Sequence, residues 1–149
     1  MDFTTDNLLP RILLTLNTLG YGLGPLLVDL SRTHATNPQW TPHARFHVVW
    51  QVTSYAGIGL IALGLIWLAG PYPTARLYLA SAIALMMYIS FGLAAFTMPR
   101  YGGKLVDNIN GVPPFGVRTI LGREVTFDRN TTSFGVQAVL LVAALLTIR

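Results

Sequence analysis

Phe46-His-Val-Val-Trp-Gln-Val-Thr-Ser-Tyr-Ala-Gly-Ile-Gly-Leu-Ile-Ala-Leu-Gly-Leu-Ile-Trp-Leu-Ala69, followed at once by Gly70-Pro-Tyr-Pro-Thr74, decides the fold. No Asp, Glu, Lys or Arg interrupts Phe46–Ala69. Wound as a helix at ~1.5 Å per residue, the stretch is long enough to cross the ~30 Å of hydrocarbon in a bilayer. The Gly-Pro-Tyr-Pro turn is too short for anything but an antiparallel return, and a second apolar run, Ala75–Met98, follows it. Working outward, Ile12–Leu30 precedes the pair and the shorter Ser133–Ile148 closes the chain. The expectation is an all-α membrane protein, a bundle of four transmembrane helices forming one domain over residues 1–149.

Composition supports a lipid solvent. Of the 149 residues, 52% are apolar and only 11% charged, against about 25% charged in a soluble domain; the mean hydropathy is +0.53. A net charge of +4 with Lys104 as the single lysine gives no basic patch for nucleic acid. The chain has no cysteine, which removes disulfides, thiolate metal sites and thiol chemistry. Met1–Asp6 is acidic and lacks the basic start of a cleaved signal, so the first apolar segment is expected to remain as a span.

The connections are unequal. Ser31–Thr41 is moderate, whereas Pro99–Thr132 holds most of the charge and is long enough to carry structure of its own. Within it, Val117–Leu121, Gly122-Arg123 and Glu124–Phe127 form a short β-hairpin pattern. Cations set the topology: Arg32, Arg45, Arg100, Lys104, Arg118, Arg123 and Arg129 lie in or directly beside these two connections, and Arg11, Arg76 and Arg149 at the other end. The bias puts both termini outside and both large loops in the cytoplasm, in the cytoplasmic (inner) membrane. Thr41-Pro42 is a helix-start signal, and Gly20, Gly22, Gly24 and Pro25 predict a kink in the first span, with Gly20 and Gly24 spaced for close helix contact.

The strongest chemical signal is Trp40-Thr-Pro-His43-Ala-Arg45-Phe-His47-Val-Val-Trp50-Gln51. His43 and His47 are four apart, and the same row continues through Gln51 and Tyr55, with Ser54 beside it. Polar residues repeating at helical spacing inside an apolar span are expected to point into the bundle. Asn17, Tyr21, Tyr88 and Gln137 lie at similar depth, which predicts a polar pocket open to the cytoplasm. Two chemistries fit the histidines. Acid/base work would use His43 and His47 with Asp29 as their orienting carboxylate, while Gln51, Tyr55, Asn17, Tyr21, Tyr88 and Gln137 bind the substrate. A divalent metal (zinc, iron or manganese) would take His34, His43 and His47. The plain alternative is that Trp40, His43, Arg45 and Trp50 anchor the helix at the interface.

The Trp40–Gln51 stretch and Asp107-Asn-Ile-Asn-Gly-Val-Pro-Pro-Phe115 resemble those of a family of small four-helix integral membrane proteins, mostly bacterial, to which no activity is assigned. In architecture alone the chain is similar to emopamil-binding-type sterol isomerases and to DoxX-like proteins. The leading expectation is a protein that binds, and by acid/base chemistry converts, a small lipophilic molecule in an isomerase or hydrolase manner. A non-catalytic accessory or assembly subunit is the alternative, and an oligomeric transporter the third. The partners expected are the lipid bilayer, a lipophilic molecule and further copies of the chain.

Overall fold

A computed structural model describes residues 7–149, leaving the acidic Met1–Asp6 segment outside the described residues. The chain forms α1 (Leu8–Gly22), α2 (Gly24–Asp29), α3 (Pro42–Trp67), α4 (Pro73–Tyr101), β1 (Gly116–Ile120), β2 (Arg123–Phe127) and α5 (Arg129–Thr147). Among the described residues, four helical segments are long and apolar enough to cross a membrane: Leu8–Asp29, Pro42–Trp67, Pro73–Tyr101 and Arg129–Thr147. Each starts a few residues before the apolar run that announces it, because the caps lie outside the greasy stretch. Thr41 accepts from the Ala44 backbone N–H at 3.2 Å, with Pro42 at the first helical position. Asp128 does the same for α5, accepting from Thr131 N–H at 2.7 Å.

The helix of the first span is interrupted at Leu23, between α1 and α2, in the stretch where the glycines and Pro25 predict a kink. Pro25 has no N–H to give to the carbonyl one turn earlier, and the helix resumes with Leu27 N–H bonding Leu23 O at 3.0 Å. The close glycine contact is not the Gly20/Gly24 pair. Gly24 faces open space, whereas a Cβ on Gly22 would lie 3.4 Å from the Gly59 Cα of α3. Gly22 and Gly59 are what let α1 and α3 approach backbone to backbone.

Packing centres on α1, which touches each of the other spans. Its buried positions, Pro10, Leu14, Asn17, Thr18, Tyr21 and Gly22, recur every three to four residues and so form one face. Against it lie Leu77, Ala80 and Ala84 of α4, Ile66 of α3 and Leu141 and Ala144 of α5, while Leu60, Phe96 and Leu146 point outward. Large hydrocarbons left on the outside are what is expected when the surrounding solvent is lipid.

The helix ends opposite the long loops are tied together. Asn7 donates its amide to Arg149 O and accepts from Arg149 N–H, both at 2.9 Å, and Thr74 also donates to Arg149 O at 3.1 Å. The last turn of α3 receives Arg11 on Ile66 O and Arg76 on Gly64 O. Two guanidiniums on carbonyls of the last turn, one of them (Gly64 O) shared with the Leu68 N–H, complement the negative end of the helix dipole. Trp67 donates to Thr15 Oγ1 at 2.8 Å across the α1–α3 contact.

The hairpin forms as expected, one residue earlier than the pattern suggests. β1 and β2 pair antiparallel from Gly116↔Phe127 to Ile120↔Arg123, closed by Leu121 (φ 50°) and Gly122 (φ 75°). Two consecutive positive φ values are those of a tight mirror-image turn, matched to strand twist.

Candidate functional site

The row His43–His47–Gln51–Tyr55 is intact on α3, but it does not face the bundle interior. His43, His47, Gln51 and Ser54 are exposed and Tyr55 is half-buried; the face that packs is Val48, Val52, Gly59, Ala62 and Ile66. The reason is angular. Each i to i+4 step turns about 400°, so the row advances about 40° around the helix per step. It begins on the outside at His43 and reaches the edge of the bundle only at Tyr55.

Within the row the side chains pair with each other. His43 and His47 approach Nε2 to Nε2 at 3.0 Å, and Gln51 Nε2 donates to Tyr55 Oη at 2.9 Å. His47 also packs against Trp50 (ring centroids 5.8 Å apart), while Arg45 turns away to the carbonyls of Trp40 and Pro38.

The four other residues expected to bind substrate do converge, in a different place. Asn17 is fully buried on α1. Its amide donates to Gln137 O of α5 at 2.5 Å, and its carbonyl oxygen accepts from Tyr88 Oη of α4 at 2.6 Å. Gln137 lies against Gly20, where any side chain would collide with its amide. Tyr21, 3% exposed, brings a hydroxyl into the same interior, where Tyr21 Oη and Gln137 Oε1 have no hydrogen-bond partner among the described residues. Phe134 closes the cluster, stacked on Phe91 at 4.0 Å and edge-on to Tyr88. The cluster is amide and phenol chemistry, and the histidines are not part of it. The hollow on α5, lined by Ala138, Val139, Val142, Ala143 and Leu146, is apolar and includes none of these groups.

No family model, curated protein or solved structure matches the chain.

Asp29 and His34 meet each other instead of the α3 histidines. Their closest approach is 3.6 Å, with Thr33 Oγ1 2.8 Å from His34 Nδ1 and Trp40 edge-on at 5.1 Å. Asp29 therefore lies beside His34 and not His43 or His47, and the expected three-histidine metal set is not assembled. Among the described residues no three His, Asp or Glu side chains are grouped to hold a metal.

Asp107, in the long connection, locks a turn. It accepts from Ile109 N–H and Asn110 N–H at 3.0 Å each and from the Asn110 amide at 2.7 Å, and its backbone pairs with Val112 in both directions. The Asn110 side-chain bond, then its backbone N–H, holds the carboxyl below its ordinary range, with Ile109 and His34 adding to the effect.

Sequence reasoning passed over the two faces of the hairpin. Alternation at period two carries the signal, but it shows only once the register is fixed.

Proposed function

We propose that the protein is a non-catalytic membrane assembly subunit that associates with further copies of itself along the outer side of α3. It would sit in the cytoplasmic membrane with both ends outside and the two large connections in the cytoplasm, as the distribution of cations favours. The observation that carries this reading is Gln51, an exposed amide nine residues into a helix of 26 residues. At 1.5 Å per residue it lies about 14 Å below the start of α3, within the hydrocarbon zone. One of its hydrogen-bonding groups meets Tyr55; the others face outward, where lipid offers nothing.

Identity of the partner is argued from the chemistry of the row. Imidazole, amide and hydroxyl groups each donate and accept, and no group deep in the row is charged. Two copies related by a two-fold axis would then satisfy each other with the same residues. Gly57, exposed and with open space where a Cβ would be, adds room for close approach on the outer side.

Fluorescence energy transfer between donor- and acceptor-labelled protein in dilute liposomes tests this. Interhelical hydrogen bonds in membranes average about 0.6 kcal/mol, so losing one from each copy in Gln51→Leu should weaken association about eightfold. Thermal stability of the single chain should be unchanged or higher. Wild type that stays monomeric, or a Gln51→Leu variant that associates equally well, would refute the proposal.

The buried Tyr21 Oη and Gln137 Oε1 favour a second reading, in which a hydroxyl-bearing lipophilic molecule enters between α1, α4 and α5. Tyr21→Phe separates the two. With no guest, removing an unpartnered hydroxyl should leave stability unchanged or raise it by up to about 1 kcal/mol. A guest bonded there would make the same change destabilising only when native lipid extract is present.

A further inference from the structure

The hairpin has two unlike faces. Register places Arg118, Ile120, Arg123, Val125 and Phe127 on one, and Val117, Thr119, Glu124 and Thr126 on the other. The first face thus joins two arginines to three large apolar side chains with no carboxylate, while Glu124 and both threonines are opposite. Among the described residues both faces stay exposed: Ile120 is 46%, Phe127 38% and Val125 37% exposed on the first, Val117 46% on the second, and Leu121 at the tip 98%. A two-stranded hairpin alone in water is marginal, and exposed apolar residues interleaved with arginine on one side call for a surface to lie on.

Covalent geometry fixes which surface is in reach. β2 ends at Phe127, Asp128 caps α5, and Arg129 begins that apolar helix. If α5 crosses a bilayer, the base of the hairpin is held at the headgroup level. Its five-residue strands, at about 3.3 Å per residue, extend no more than about 17 Å from there. Arg129 reinforces the same zone, with its guanidinium 5.4 Å from the Phe115 ring.

We infer that the hairpin docks on the membrane that holds the protein, with its Arg118/Ile120/Arg123/Val125/Phe127 face on anionic lipid headgroups. The two guanidiniums pair with lipid phosphate, and Ile120, Val125 and Phe127 sink to the acyl boundary beside them. Glu124 then faces water, where it opposes nothing. The inference rests on α5 spanning a bilayer but is independent of self-association through α3.

The absence of cysteine makes the test clean, because Leu121→Cys provides the single thiol for an environment-sensitive fluorophore at the tip. Full-length labelled protein is reconstituted into phosphatidylcholine vesicles with and without phosphatidylglycerol. The expected result is blue-shifted emission, quenched by shallow doxyl-labelled lipid, that grows with phosphatidylglycerol content and fades in high salt. Each arginine near an anionic surface is worth about a fivefold factor, so Arg118→Gln/Arg123→Gln should reduce the docked-to-free ratio about 30-fold. Glu124→Gln, on the other face, should not reduce docking. Water-like emission in both vesicle types, or docking indifferent to the arginines, would overturn the inference, and an unchanged helical spectrum shows that each variant is folded.

Discussion

Replacing Asn17 with alanine should reduce the free energy of unfolding by about 2–4 kcal/mol. Asn17 joins three spans, giving its amide to Gln137 O and receiving the Tyr88 hydroxyl from two different helices while fully buried itself. The alanine variant loses both bonds, leaves the Tyr88 hydroxyl without its acceptor, and opens a void where nothing can relax easily around the fixed α1 backbone. Averages for membrane hydrogen bonds are small, so most of the loss must come from the void and the orphaned group. Tyr88→Phe isolates the hydrogen bond, since it keeps the ring packed on Phe134 and should cost about 1 kcal/mol or less. Steric-trap or detergent-titration unfolding in bicelles measures both. Equal losses in the two variants would show that the void counts for nothing and that this account of the cluster is wrong.

Gly59→Leu is the second large effect. The Gly59 Cβ direction meets Gly22 Cα at 3.4 Å and Thr18 Cγ2 at 3.7 Å, so a leucine must drive α1 and α3 apart. Overpacking of a fitted contact costs 1–3 kcal/mol and more where backbone is the obstacle; about 3 kcal/mol or above is expected here. The same substitution at Gly57, two residues away with nothing within 4 Å, should leave the stability of the single, dilute chain within about 0.5 kcal/mol. That contrast, read in the same unfolding assay, separates steric exclusion from the low helix propensity of glycine, which both positions share. If Gly57→Leu were as damaging as Gly59→Leu, the close α1–α3 approach would not be what the bundle depends on.

The four spans, the helix start at Thr41-Pro42 and the hairpin are legible in the residues because each is decided locally. Thr41-Pro42 needs no neighbour to begin a helix, and a glycine between two strand-forming runs needs none to reverse the chain, although the turn falls at Leu121-Gly122, one residue before the expected Gly122-Arg123. What the residues alone do not show is rotation about each helix axis. His43, His47, Gln51 and Tyr55 keep helical spacing, yet the slow turn of an i+4 row makes that spacing compatible with an inward or an outward start. Val48, Val52 and Gly59 win the inner position because they offer a small, regular surface to α1, and that is a property of the pair of helices. The same holds for Gly22, chosen over Gly20 and Gly24 by where Gly59 happens to lie, and for His34, which Asp29 claims at the end of α2. Asn17, Tyr88 and Gln137 were recognisable as polar groups at a common depth; that depth, more than their spacing, is what brings them together.

The bond between Asn17 and Gln137 spans 120 positions of the chain and joins α1 to α5. At about 5–20 residues per second, a ribosome needs roughly 6 to 24 s to travel that distance. During this interval α1, the element against which everything else packs, is already synthesised while its amide has no α5 to bond. Biogenesis of this bundle therefore includes a waiting period in which the buried face of α1 has to keep its amide satisfied by other means until α5 has been made.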